Sequence, residues 1–183
     1  MLDGLTEGEH KVDLKTFNLR DISDPLWEAV HKAVSLYRAD REQGTPGNAM
    51  TRGYNLKPIK TVGIIVNREI NRIYEKKRTE YRNRGVKVQE VFAYHGTPLV
   101  NKDSIIQTNL DPGRTVRQQH GPGCYFSEFP EVSHSYTQDC MFIFKVLLVE
   151  GKYNKVRPGG GGYCQMLVLT DNSHFKPEYV LYF

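Results

Sequence analysis

Cysteine is scarce in this chain: Cys124, Cys140 and Cys164 make an odd count in 183 residues, with no Cys-x-x-Cys spacing and no histidine at zinc-ligand distance. That argues against a disulfide scaffold and a zinc ribbon, leaves no metal site to expect, and points to free thiols in an intracellular compartment. No apolar run approaches the ~18 residues that suggest a membrane span. The first residues carry acids where a secretory signal would carry a basic and then an apolar stretch. The chain therefore reads as neither secreted nor membrane-bound. Excess charge is also small, a net +4 with 25% charged residues, and its densest run, Lys76-Lys77-Arg78 with Arg82, Arg84 and Lys87, reads as a solvated helix face. Charge alone names no nucleic-acid partner. Internal repeats and low-complexity tracts are missing as well.

What is present fits one domain over residues 1–183, with residues 1–20 as an extension that adds nothing to the pattern. Asp24-Pro25 is a helix start, and Leu26, Ala29, Val30, Ala33, Val34 and Tyr37 recur at helical spacing, so a helix is expected over about 25–40. Residues 42–53 read as a loop. Ile59 to Val66 is a β-branched run. Ile70, Ile73, Tyr74, Lys77 and Tyr81 then switch the period to a helix ending near Asn83, with Gly85 as its stop. Strand-like runs follow at 88–95, 123–127, 141–149, 165–170 and 179–183. Gly159 to Gly162 precedes no Lys-Ser/Thr and no helix, so it reads as a hairpin link and not a phosphate loop. Helices first and strands after indicate an α+β fold.

The richest segment runs Ala93-Tyr94-His95-Gly96-Thr97-Pro98, then Gly121-Pro122-Gly123-Cys124-Tyr125-Phe126-Ser127, then Ser133 and Tyr136, eight and eleven residues after Tyr125. Pro130 to Tyr136 reads as a strand exit and a short helix, which would bring a hydroxyl and two rings toward one small planar ligand. A nicotinamide ring suits such a place. It is flat, cationic while joined to ribose, and carries a carboxamide. Two tyrosine faces can sandwich it, each contact worth roughly 0.5–2 kcal/mol. Gly96 allows its backbone close to the carboxamide, Ser133 offers a hydroxyl, and His95 offers a ring nitrogen to a ribose hydroxyl.

On these residues the chain resembles the catalytic domain of the poly(ADP-ribose) polymerase family of ADP-ribosyltransferases. The family pattern of His-Gly-Thr, Gly-x-Gly-x-Tyr-Phe-[Ala/Ser], then Ser and Tyr at these spacings is met at every position. Arg68, Asn71 and Tyr74 resemble the helix preceding the family's His strand, and Phe142 to Tyr153 and Pro177 to Phe183 resemble its later strands. The resemblance implies an ADP-ribosyltransferase fold with two antiparallel-rich sheets forming an NAD cleft, and helices at the N-terminal side. It implies NAD as ADP-ribose donor, catalytic roles for His95 and Tyr125, and donor contacts from His95, Gly96, Thr97, Tyr125, Ser133 and Tyr136. Arg114 and Arg117 fall where the family's donor loop lies, as diphosphate contacts or as a solvated loop. His120 stands where an aromatic is usual, to stack on adenosine or to face water.

One departure decides the expected product. The family's third catalytic position, counted back eleven residues from Pro177, is Met166, or Gln165 if the register slips by one. Polymerising members carry Glu there, which can hold a ribose hydroxyl and activate it. Neither residue here is a base, so a mono-ADP-ribosyltransferase is implied, acting on a protein acceptor, itself included, or on a nucleic acid that nothing in the sequence indicates. The segment from Asn154 to Tyr163 is shorter than the family's acceptor-side loop. That keeps a catalytically inactive module for protein or RNA binding as the alternative. The RNA 2′-phosphotransferase relatives, which share a His-Gly-Thr strand but rely on several arginines, are a more distant one.

Overall fold

The computed structural model describes residues 12–18, 27–42, 57–114, 120–134, 136–137, 139–156 and 166–183. The fold is mixed α+β, built on one antiparallel sheet. Its strands are β1 (Val12–Asn18), β2 (Thr61–Asn67), β3 (Val88–Gly96), β4 (Cys124–Ser127), β5 (Cys140–Val149), β6 (Tyr153–Val156), β7 (Met166–Leu169) and β8 (Phe175–Tyr182), in the order β1-β2-β8-β5-β3-β4-β7-β6. The helices are α1 (Trp27–Glu42), α2 (Arg68–Asn83), α3 (Lys102–Thr108) and α4 (Pro130–His134). Among the described residues no helix is long and apolar enough to cross a membrane.

The core follows from β5, whose run Cys-Met-Phe-Ile-Phe-Lys-Val-Leu-Leu-Val is buried on both faces except at Lys145. A strand apolar on both sides needs cover on both, and two clusters supply it. Phe142, Phe144, Val146 and Leu148 pack with Ile105 and Ile106 of α3, while Met141 and Ile143 pack with Ala33 and Tyr37 of α1. Pro177, which has no N–H to give the ladder, pairs with Phe144 where the β5–β8 register shifts.

Helix α2 is held at both ends. Asn67 caps it by accepting from Ile70 N–H at 3.1 Å, and the same side chain donates to the carbonyls of Ile106 and Gln107 on α3. Gly85, with φ +66°, follows its last turn. Ile70, Tyr74 and Tyr81 are buried, whereas Ile73, expected on the same face, is 38% exposed. The basic run is largely paired: Lys77 with Glu80, and Arg78 with Glu75 and Glu90.

Three expectations change. Residues 12–18 are not an inert extension: they form β1, pairing with β2 along its whole length. Two further elements, α3 and β6, lie where no element was expected. The two expected sheets are one, because β3 and β4 are joined by the pair Tyr94↔Ser127. That seam is thin. Every other neighbouring pair of strands shares four or more residue pairs, so the sheet consists of a five-strand part and a three-strand part hinged at one bridge. The Asp24-Pro25 cap, the 42–53 loop and the Gly159–Gly162 link lie outside the described residues, although β6 and β7 on either side of that link do pair antiparallel.

Candidate functional site

The seam is where the expected site falls. Beyond Tyr94, β3 and β4 no longer share a ladder, and His95 bridges the gap with its side chain: Nδ1 lies 2.8 Å from the Tyr125 carbonyl oxygen. A carbonyl only accepts, so Nδ1 carries the hydrogen. Burial holds the imidazole below its ordinary pKa and outweighs the opposing effect of this hydrogen bond. The ring is therefore neutral near pH 7, with Nε2 an acceptor that has no protein partner among the described residues. Phe126 and Phe144 fix its plane, with ring centroids 5.9 and 6.0 Å away.

Tyr125 is held by its own loop. Its hydroxyl donates to the Gly121 carbonyl at 2.5 Å and accepts from His120 N–H at 3.1 Å, and the His120 ring lies 6.5 Å from its own. Gly123 makes the turn possible: at φ +140° a side chain would be strained, and a Cβ there would come 2.7 Å from the Leu169 carbonyl. So the phenol of Tyr125 is a strut for the Gly-Pro-Gly turn, leaving its ring as the surface it can offer.

Helix α4 brings Ser133 and Tyr136 against the end of β3. Tyr136 N–H bonds the Ser133 carbonyl at 3.0 Å, and the Tyr136 side chain remains 50% exposed. A Cβ on Gly96 would collide with the Ser133 carbonyl oxygen and sit 3.2 Å from Tyr136 Cβ. Gly96 is thus required by the chain's own packing, whatever it does for a ligand. The Ser133 hydroxyl turns inward: Oγ lies 2.9 Å from the Tyr94 carbonyl and 2.5 Å from Ser127 Oγ. Ser127, in turn, lies 2.7 Å from the Phe129 carbonyl. This hydroxyl pair is the feature the sequence reading missed. Ser127 was part of the motif, but nothing in a string of letters says that its side chain meets Ser133.

The remaining expected residues are more scattered. Thr97 is buried, accepting from Asn101 Nδ2 through its hydroxyl and from the Cys140 thiol through its carbonyl, so it shapes the turn after β3. Arg114 is 81% exposed and pairs with Asp111 at 3.4 Å. Met166 is buried at the start of β7, opposite Ser127 and so two strands from β3. Arg117 and Gln165 lie outside the described residues. Burial pushes the thiols of Cys124 and Cys140 up to about 12 and about 11, which makes both poor nucleophiles.

A polar groove of about 580 Å³ opens elsewhere, lined by Lys77, Tyr81, Arg84, Lys152, Asp171 and His174 among others, and shares no residue with the expected site. Glu80 already pairs with both Lys77 and Arg84 there, and the groove offers no convergent chemistry beyond the buried Tyr81–His174 contact at 2.7 Å. No protein-family model matches the chain, and no curated protein sequence matches it closely enough to count as a relative.

Proposed function

We propose that the chain is a mono-ADP-ribosyltransferase that uses NAD as donor and moves one ADP-ribose to a protein acceptor, itself included. The observation carrying this reading is His95: a neutral imidazole, fixed in plane, its Nδ1–H spent on the Tyr125 carbonyl and its Nε2 left to accept from a ribose hydroxyl. Gly96, Ser133 and the half-exposed Tyr136 stand beside it, where a carboxamide and a flat cationic ring would be received.

In this account the chain's residues bind and align. His95 orients the ribose, and Tyr136 with the Tyr125 ring covers the nicotinamide faces. The bond from ribose C1′ to the nicotinamide nitrogen breaks with its electrons leaving on neutral nicotinamide. The acceptor's nucleophile bonds to C1′ and releases its proton to solvent. Orientation of this kind can supply on the order of 7 kcal/mol or more. Met166 can neither hold a hydroxyl nor take a proton, so chain growth on a transferred ribose is not supported.

Incubation with labelled NAD, with free nicotinamide quantified and the intact protein weighed, tests this. Single increments of one ADP-ribose with matching nicotinamide are expected. Ladders would overturn the single-transfer assignment. The inactive binding module is the second reading, favoured by the apolar Met166 in the row beside Ser127; NAD binding without nicotinamide release would select it.

A further inference from the structure

The buried hydroxyl pair has more contacts than hydrogens. Ser127 is 1% exposed and Ser133 4% exposed. Between them they make three close oxygen contacts: Ser133 with the Tyr94 carbonyl, Ser127 with the Phe129 carbonyl, and Oγ with Oγ at 2.5 Å. The 2.5 Å contact between the two hydroxyls is the one that most needs a hydrogen, since two oxygens that close repel without one, and each serine supplies only one. Two hydrogens serve three contacts. Either Ser127 donates to Ser133, which donates to Tyr94, leaving the Phe129 carbonyl unserved by this pair, or the chain runs the other way and leaves Tyr94.

We infer that Ser127 is a positioning residue for Ser133: by donating into Ser133 Oγ it frees and strengthens the Ser133 hydrogen for the carbonyl oxygen of a carboxamide ligand. The first arrangement already points that way. Ser133 then accepts from Ser127 and needs only to swing its hydrogen from the Tyr94 carbonyl to the ligand carbonyl. A hydroxyl that accepts one hydrogen bond is polarised to donate a better one. Without Ser127 the same swing leaves Ser133 with no donor behind it, in a place closed to water. Position 127 would thereby set selectivity for ligands that carry the amide carbonyl over those that lack it.

This inference rests on the proposed NAD reading, and the test separates the two. Calorimetric titrations of NAD and of ADP-ribose, which has no nicotinamide, would be run on wild type, Ser127→Ala, Ser127→Cys, Ser133→Ala and the double alanine variant. Ser127→Ala should weaken NAD about three- to tenfold, the worth of one net hydrogen bond, while ADP-ribose affinity stays unchanged. Ser127→Cys, similar in size with a weaker donor, should fall between and serves if the alanine variant folds poorly. In the Ser133→Ala background, Ser127→Ala should change nothing further. Equal losses for NAD and ADP-ribose, or an unchanged NAD affinity in both Ser127 variants, overturn the positioning role while leaving NAD binding intact. A wild type that binds neither ligand overturns the reading beneath it.

Discussion

At the residue scale, His95 is both a packing side chain and, through Nε2, an acceptor at the seam with no partner among the described residues. His95→Ala removes the ring that packs on Phe126 and Phe144 and leaves the half-buried Tyr125 carbonyl without its donor, so it should cost about 1–3 kcal/mol of stability. Activity should fall further than that. Nicotinamide release measured per folded molecule separates the effects: a histidine that only packs would leave residual turnover in the folded fraction. Gly96→Ala is a sharper structural test, because the added methyl meets the Ser133 main chain. It should lower the melting temperature and weaken NAD together, as α4 is pushed off β3. At this scale the sequence carried the residue types well, and the string His-Gly-Thr with its tyrosines was readable. Side-chain direction was not. That Ser133 turns inward to Tyr94 and that His95 reaches the Tyr125 carbonyl depends on contacts between residues 39 and 30 apart, and even the local brace of the Tyr125 phenol on Gly121, four residues away, is a side-chain direction the letters do not carry.

Among the elements, α2 shows what local pattern can do. Its period and its glycine stop were legible, since each is a property of neighbouring residues, whereas the Asn67 cap went unread. Its tertiary anchor was not. The Tyr81 hydroxyl lies 2.7 Å from His174 Nε2, tying the last turns of α2 to the turn that leads into β8. Tyr81→Phe leaves a buried ring nitrogen unpaired and should cost about 1–2 kcal/mol, read as a drop in chemical-denaturation midpoint with an unchanged slope. The missed elements have plain causes. Strand β1 alternates Val12, Leu14 and Thr16 with Asp13 and Lys15, a period-two strand signal hidden in a segment read as an extension. Helix α3 is seven residues long, too short to show a period, and β6 is four residues with its middle pair exposed.

For the whole molecule, the histidines set the acid limit. Burial holds His95, His134 and His174 below the ordinary imidazole pKa, with Lys57 adding to it at His134 and Asp171 opposing it at His174. Each is neutral in the fold but takes a proton when unfolded below about pH 6.5. The unfolded state then binds more protons, so stability is full above about pH 6.5 and declines as pH falls through that value toward the folded pKa values. Melting temperatures at pH 7.5 and 5.5 should differ by several degrees; a flat profile would contradict neutral buried histidines. Lower still, Glu90 and Asp171 add to the loss. Burial would raise both, but hydrogen bonds from Lys145 and Tyr74 to Glu90, and from Ser173 to Asp171, hold them below the usual carboxylate range.

The α+β class was legible because β5 and its neighbours are apolar runs and the helices are periodic. The single sheet was not, because whether β3 and β4 touch once or not at all is decided by one bridge, Tyr94↔Ser127, and strand composition does not encode it. That bridge is also what places His95 in a gap between strands, so the central claim stands on this part of the chain: a site at the seam that takes NAD by its nicotinamide end. Titration of NAD into the wild type and Tyr136→Ala, followed by heat, tests it most directly. Saturable binding by the wild type and a clear loss of affinity on removal of the exposed Tyr136 ring are expected. No binding at millimolar NAD, or identical binding by both proteins, would contradict it.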